Sequence, residues 1–127
     1  MKSCYYISME EMVKKFISNP EDFILFRGEN KINQGGLHFT TDEVWAKNFG
    51  DRLLVGKLPV GSRVKLLTQE DFTKSYESGL KSEKELWNSI FESGWDAIIG
   101  VDSMNNEVLD IIINPKHLGN FSIGNLV

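Results

Sequence analysis

The chain offers two histidines and one cysteine, and their spacing removes the common kinds of active site. His38 and His117 stand far apart, with no cysteine or carboxylate at metal-ligand spacing, so no zinc site is expected. No Gly-x-Ser-x-Gly elbow supports Ser-His-Asp hydrolysis. A thiol enzyme would rest on Cys4 alone, which no helix start or basic cluster activates, and Cys4 reads as inert. Neither a Gly-x-Gly-x-x-Gly run nor a Walker-type loop is present, which removes the usual nucleotide signatures.

Three local features remain. Arg27-Gly28 closes an apolar strand; an arginine there must be paired or must face a cleft, because an unpaired buried charge is costly. A structural ion pair is the simpler reading, while a glycine next to it lets a ligand approach the backbone. The second feature is the run GLHFTTDEVWAKNFG from Gly36 to Gly50, which taken alone is strand, cap and helix. The third is Glu107, which alternation puts on the same strand face as Leu109, Ile111 and Ile113. A carboxylate opening an apolar face is either a strand-edge residue near water or a site residue held partly dry.

Short elements must position these residues. Ser8 and Glu11 have capping-box spacing, and Met9, Met12, Val13, Phe16 and Ile17 follow at helical period up to Pro20. Phe23 to Arg27 and Leu37 to Thr40 read as strands around the polar loop ENKINQGG. Thr41 or Asp42 caps a helix from about Glu43 to Phe49, with Trp45 and Phe49 on one face and Gly50 as a left-handed stop. Arg52 to Leu58 and Arg63 to Leu67 read as strands, with Val64 and Leu66 facing one way. Thr68 to Ser78 reads as a helix pairing Phe72 with Tyr76. Ser82 to Ser93 is the clearest helix, with Leu86, Trp87, Ile90 and Phe91 as its stripe. Ala97 to Val101 and Glu107 to Ile113 are the strongest strands, joined by the loop Asp102 to Asn106, and Pro115 ends the last. About six short strands with roughly three or four helices, not strictly alternating, make an α+β domain and argue against a doubly wound parallel sheet.

Composition sets the outer bounds. A chain of 127 residues fits one domain, spanning 1–127. Hydrophobic residues at 41% and charged residues at 25% match a globular protein and fit disorder poorly. A net charge of −4 argues against nucleic acid as a purely electrostatic partner. A lone cysteine forms no intrachain disulfide, and neither a membrane span nor a signal peptide is visible, so a cytoplasmic location is expected.

Together the three features resemble the ADP-ribosyltransferase superfamily, which includes the poly(ADP-ribose) polymerases, the diphtheria-type toxins and the arginine-specific ecto-enzymes. LFRG, Leu25 to Gly28, looks like its first motif. Gly36 to Phe49, with Ala46 and Phe49 on the helix, looks like the second, and NNEVLDI, Asn105 to Ile111, like the third. Arg27 points to the Arg-Ser-Glu class. That class carries Ser-Thr-Ser on the second strand, where this chain has His38, Phe39 and Thr40. It also carries Glu or Gln two residues before the catalytic glutamate, where this chain has Asn105.

The resemblance implies a split mixed β-sheet with short flanking helices around a cleft for NAD, the substrate, with no metal. It implies that Glu107 is the catalytic carboxylate under the ribose, stabilising an oxocarbenium-like transition state. Gly28 would clamp the nicotinamide carboxamide through its backbone, and Arg27 would bind the pyrophosphate. Phe49 would stack on the nicotinamide ring, or else belong to the helix core. Thr40 would hydrogen-bond Glu107 or the ribose. His38 would contact the ribose, carry a proton, or be a satisfied structural histidine. The function expected is NAD-dependent mono-ADP-ribosyl transfer to a protein, by a toxin, a phage effector or an inhibitor of a host defence. The alternatives are a catalytically inactive binding module and an NAD glycohydrolase. The acceptor would be held by loops around the cleft, Glu29 to Gly35 and Asp102 to Asn106.

Overall fold

The computed structural model describes residues 8–77, 79, 82–101 and 109–124. Cys4, Asn105, Glu107 and the loop Asp102 to Asn106 lie outside the described residues, as do the side chains of Phe72 and Tyr76.

Among the described residues the chain is α+β. Helix α1 spans Met9–Ser18, and the Ser8 hydroxyl accepts from the Glu11 N–H at 3.2 Å, as its spacing predicts. Strand β1 is Leu25–Glu29, two residues later than the apolar run suggested, because a 3-10 turn at Pro20–Asp22 delays it. Strand β2 is only His38–Phe39, and helix α2 is Glu43–Lys47, capped by the Asp42 carboxylate on the Trp45 N–H at 2.9 Å. Strands β3 (Arg52–Gly56) and β4 (Val64–Leu67) follow, then helices α3 (Gln69–Glu77) and α4 (Glu83–Glu92). Ser82 caps α4 through the Glu85 N–H. Strands β5 (Ala97–Val101) and β6 (Leu109–Ile113) follow, then a 3-10 turn and β7 (Phe121–Ile123). Strand β7, which lies beyond Pro115, is too short to show a period in the sequence.

Two sheets form. One is antiparallel, in the order β1-β3-β7. The other has the order β2-β6-β5-β4, antiparallel except for the parallel pair β4 and β5. The largest core lies between them, where Phe16 of α1 and Leu25 of β1 meet Ile99, Leu109, Ile111 and Ile113. Leu86, Ile90 and Phe91 of α4 cover the far face of the second sheet at Ile98 and Ile112. Ala46 of α2 covers the far face of the first at Phe26 and Leu53. The layers therefore run α2, sheet, sheet, α4. Strand β5 is buried on both faces, which is why AII reads as a continuous apolar run. Val64 and Leu66 face one way, opposite Ala97 and Ile99, as alternation predicts, while Leu67 turns to the other core; Leu66 stays 39% exposed because β4 is an edge strand.

Candidate functional site

The two sheets touch along one seam and then part. At the seam Phe26 exchanges both backbone hydrogen bonds with Thr40, at 2.7 and 2.9 Å. Alternation along β1 turns the Gly28 N–H and C=O the same way, off β3 and toward the opening. The opening is a cleft of about 400 Å³, within the usual range for small-molecule sites. One wall is Phe26, Gly28, Trp45 and Ala46 of α2, and Phe49 in the turn after that helix. The other is β2 and β6, with His38, Thr40, Leu109 and Asp110. Arg27 and Asn33 close one end.

The cleft thus brings together Arg27, Gly28, His38, Thr40 and Phe49, all singled out from the sequence. Glu107 lies outside the described residues; Leu109, two positions further on, lines the cleft.

Gly28 owes its identity first to packing. A Cβ there would stand 1.9 Å from the Ala46 carbonyl oxygen, so any side chain would push α2 off β1. Gly50, just past the same C-terminal end of α2, makes the matching approach, where a Cβ would meet the Glu29 carbonyl carbon at 2.1 Å. Close contact with β1, rather than a helix stop, is what makes Gly50 necessary.

Arg27 is paired and faces the cleft at once. Its Nε donates to Glu29 Oε2 at 3.1 Å, with the two side chains only 11% and 5% exposed. Residues two apart on a strand share a face, so Arg27-x-Glu29 carried this pair in its spacing. One Nη donates to the His38 carbonyl at 3.1 Å and the other to the Asn33 carbonyl. Three of the five guanidinium N–H groups are thereby committed to the frame. Glu29 also accepts from the Gly35 N–H at 2.9 Å.

The polar loop after β1 is built rather than loose. Asn33 donates through Nδ2 to the Phe49 carbonyl at 2.9 Å and to the Gly28 carbonyl at 3.3 Å. Asn30 Oδ1 accepts from the N–H groups of Ile32 and Asn33. Asn33 therefore ties β1, the loop and the end of α2 together. Its role escaped the sequence reading because an asparagine in a glycine-rich stretch looks like ordinary turn chemistry.

Phe49 is 49% exposed and meets Trp45 edge-on at 5.6 Å. The spacing paired these rings correctly, but they face the cleft, and Ala46 is the buried residue of α2. Thr40 is buried, and its hydroxyl accepts from the Asp42 N–H at 3.2 Å, which leaves the O–H to donate.

His38 sits on the lip. Its Nδ1 is 2.9 Å from Asp110 Oδ1, and its ring meets Trp87 of α4 edge-on at 5.0 Å. Register explains the pair. His38 stands opposite Ile112, so Asp110 is its diagonal neighbour on the same face. Asp110 was not singled out from the sequence, because a two-residue β2 has no visible register with β6.

No family model, no curated protein and no solved structure matches the chain. No helix among the described residues is long and apolar enough to cross a membrane. The described residues hold no cluster of metal-ligating side chains.

Proposed function

We propose that the cleft binds the nicotinamide–ribose end of NAD and that the chain transfers ADP-ribose to a protein acceptor. The observation that carries this reading is convergence. Five residues picked for that chemistry, spread from Arg27 to Phe49, line one cleft of about 400 Å³. That volume suits a ring and a sugar better than a whole dinucleotide, whose other half would lie over the rim.

The supporting chemistry is local. Gly28 directs a backbone N–H to the open edge, and its carbonyl, which accepts from Asn33 Nδ2 at 3.3 Å, keeps a second lone pair for a carboxamide. Phe49 offers an exposed ring for offset stacking. Two guanidinium N–H groups of Arg27 remain for a phosphate oxygen. Glu107 is the carboxylate assigned to the ribose, stabilising positive charge as the nicotinamide leaves.

One observation favours a second reading, an inactive module that binds a partner through the same cleft. Arg27 spends most of its donors on Glu29 and two carbonyls, as a framework residue would. Incubation with NAD labelled in its adenylate half separates the readings. Label on an acceptor protein supports transfer, and free ADP-ribose supports hydrolysis by the same site. Unaltered NAD with no binding by calorimetry overturns the NAD reading. Glu107→Gln is expected to keep the fold and NAD affinity while slowing turnover about a hundredfold or more.

A further inference from the structure

The pair His38–Asp110 gives the cleft a property that the three motifs do not supply. An ionised carboxylate only accepts hydrogen bonds, so Asp110 Oδ1 at 2.9 Å holds the proton on Nδ1 of His38. The other ring nitrogen, Nε2, is then left with its lone pair. Both side chains are 46% exposed at the cleft, so a bound molecule can reach them without unpacking the core. The edge of Trp87 against the imidazole and the strand register behind it hold the ring in place. A carboxylate that orients an imidazole, which in turn faces a cleft, is the arrangement of a general base.

We infer that His38 is the base that deprotonates the acceptor, positioned by Asp110, and that the acceptor is a neutral hydroxyl of a protein side chain. The inference rests on the NAD reading above. In the step, the acceptor oxygen bonds to C1′ of the ribose. The C1′–N bond breaks, and its electron pair leaves with neutral nicotinamide. The hydroxyl proton moves to Nε2, and the imidazolium so formed faces the Asp110 carboxylate. A hydroxyl needs this help, because its proton must leave as the oxygen bonds. A carboxylate acceptor has no proton to lose. A guanidinium holds its proton too tightly for an imidazole to take it.

The test uses nucleophiles that differ in one respect. Nicotinamide release from NAD is followed in water, in water with methanol, and with sodium azide, in the parent protein, His38→Ala, His38→Gln and Asp110→Asn. Water and methanol carry a proton that must be removed; azide carries none. Both His38 variants are expected to retain NAD binding, which the rest of the cleft carries. They should lose about a hundredfold or more in hydrolysis and in methyl ADP-ribose formation. Azide should restore their nicotinamide release by at least about tenfold while barely changing the parent. Asp110→Asn is expected to show a smaller loss with the same azide rescue and unchanged NAD affinity, which a merely structural role would not give. A parent that cleaves NAD while His38→Ala cleaves it equally fast, or slowly without azide rescue, overturns the inference and leaves the NAD reading standing. A parent that neither binds nor cleaves NAD overturns both.

Discussion

The molecule contains two Asp–His pairs of nearly the same length, and their surroundings differ. His117 Nε2 lies 2.7 Å from Asp96 Oδ1, and both side chains are 14% exposed. Asp96 is saturated: its other oxygen accepts from the Arg63 N–H at 2.7 Å, and Lys116 adds a contact at 3.4 Å. Its own N–H donates to the Arg63 carbonyl, and its carbonyl accepts from the Asn114 N–H. This one residue ties the start of β4, the start of β5 and the end of β6. His38–Asp110 is half-exposed, sits on a cleft wall and joins only β2 to β6, through the two side chains. The two pairs share a geometry and differ in how fully the carboxylate is spent on the backbone.

Stability should separate the pairs most sharply. Asp96→Ala strands a backbone N–H and an imidazole, and is expected to cost about 3 kcal/mol. Urea unfolding measures it, and a loss under about 1 kcal/mol would erase the contrast.

Acid should separate them next. Burial pushes the Asp96 carboxyl up, but the Arg63 N–H, the His117 ring and Lys116 together outweigh it, and the group sits below its usual value. A depressed folded-state pKa means that its contribution to stability is complete above about pH 4. The contribution is lost as pH falls through the folded value. Asp96→Asn should therefore flatten the fall in unfolding midpoint below about pH 4, and a fall as steep as the parent's would contradict the assignment.

The smallest expected effect is Asp110→Ala on stability, under about 1 kcal/mol, because the pair is open to solvent. A loss as large as that of Asp96→Ala would make His38 a second structural histidine.

Much of the local structure was readable in advance. The caps at Ser8, Asp42 and Ser82 were visible because a short polar side chain at the end of an apolar period has one efficient use. The core strands β5 and β6 were visible as apolar runs. Of the cleft residues, Arg27 and Gly28 are legible because each is odd for its place, a charge in a strand and a glycine beside it, whereas His38, Thr40 and Phe49 follow only from the resemblance of Gly36 to Phe49 to a family motif. Asp110, Asn33 and Glu29 are not legible, since each works through a partner that local pattern does not name. A glycine beside Arg27 suggests room for a ligand, but the nearest demand on Gly28 is the Ala46 carbonyl. Phe49 was balanced between core and cleft, and burial puts it at the cleft.

Residue order alone determined where helices begin, which strands are apolar, and that one small α+β domain results, because capping and periodicity act over a few neighbours. Which segments meet was decided only in three dimensions. The seam at Phe26 and Thr40, the diagonal of His38 and Asp110, and the burial of Glu29 under Arg27 depend on sheet register and on where two sheets part. Those follow from the sum of many weak contacts across the whole chain, so no short window of sequence contains them.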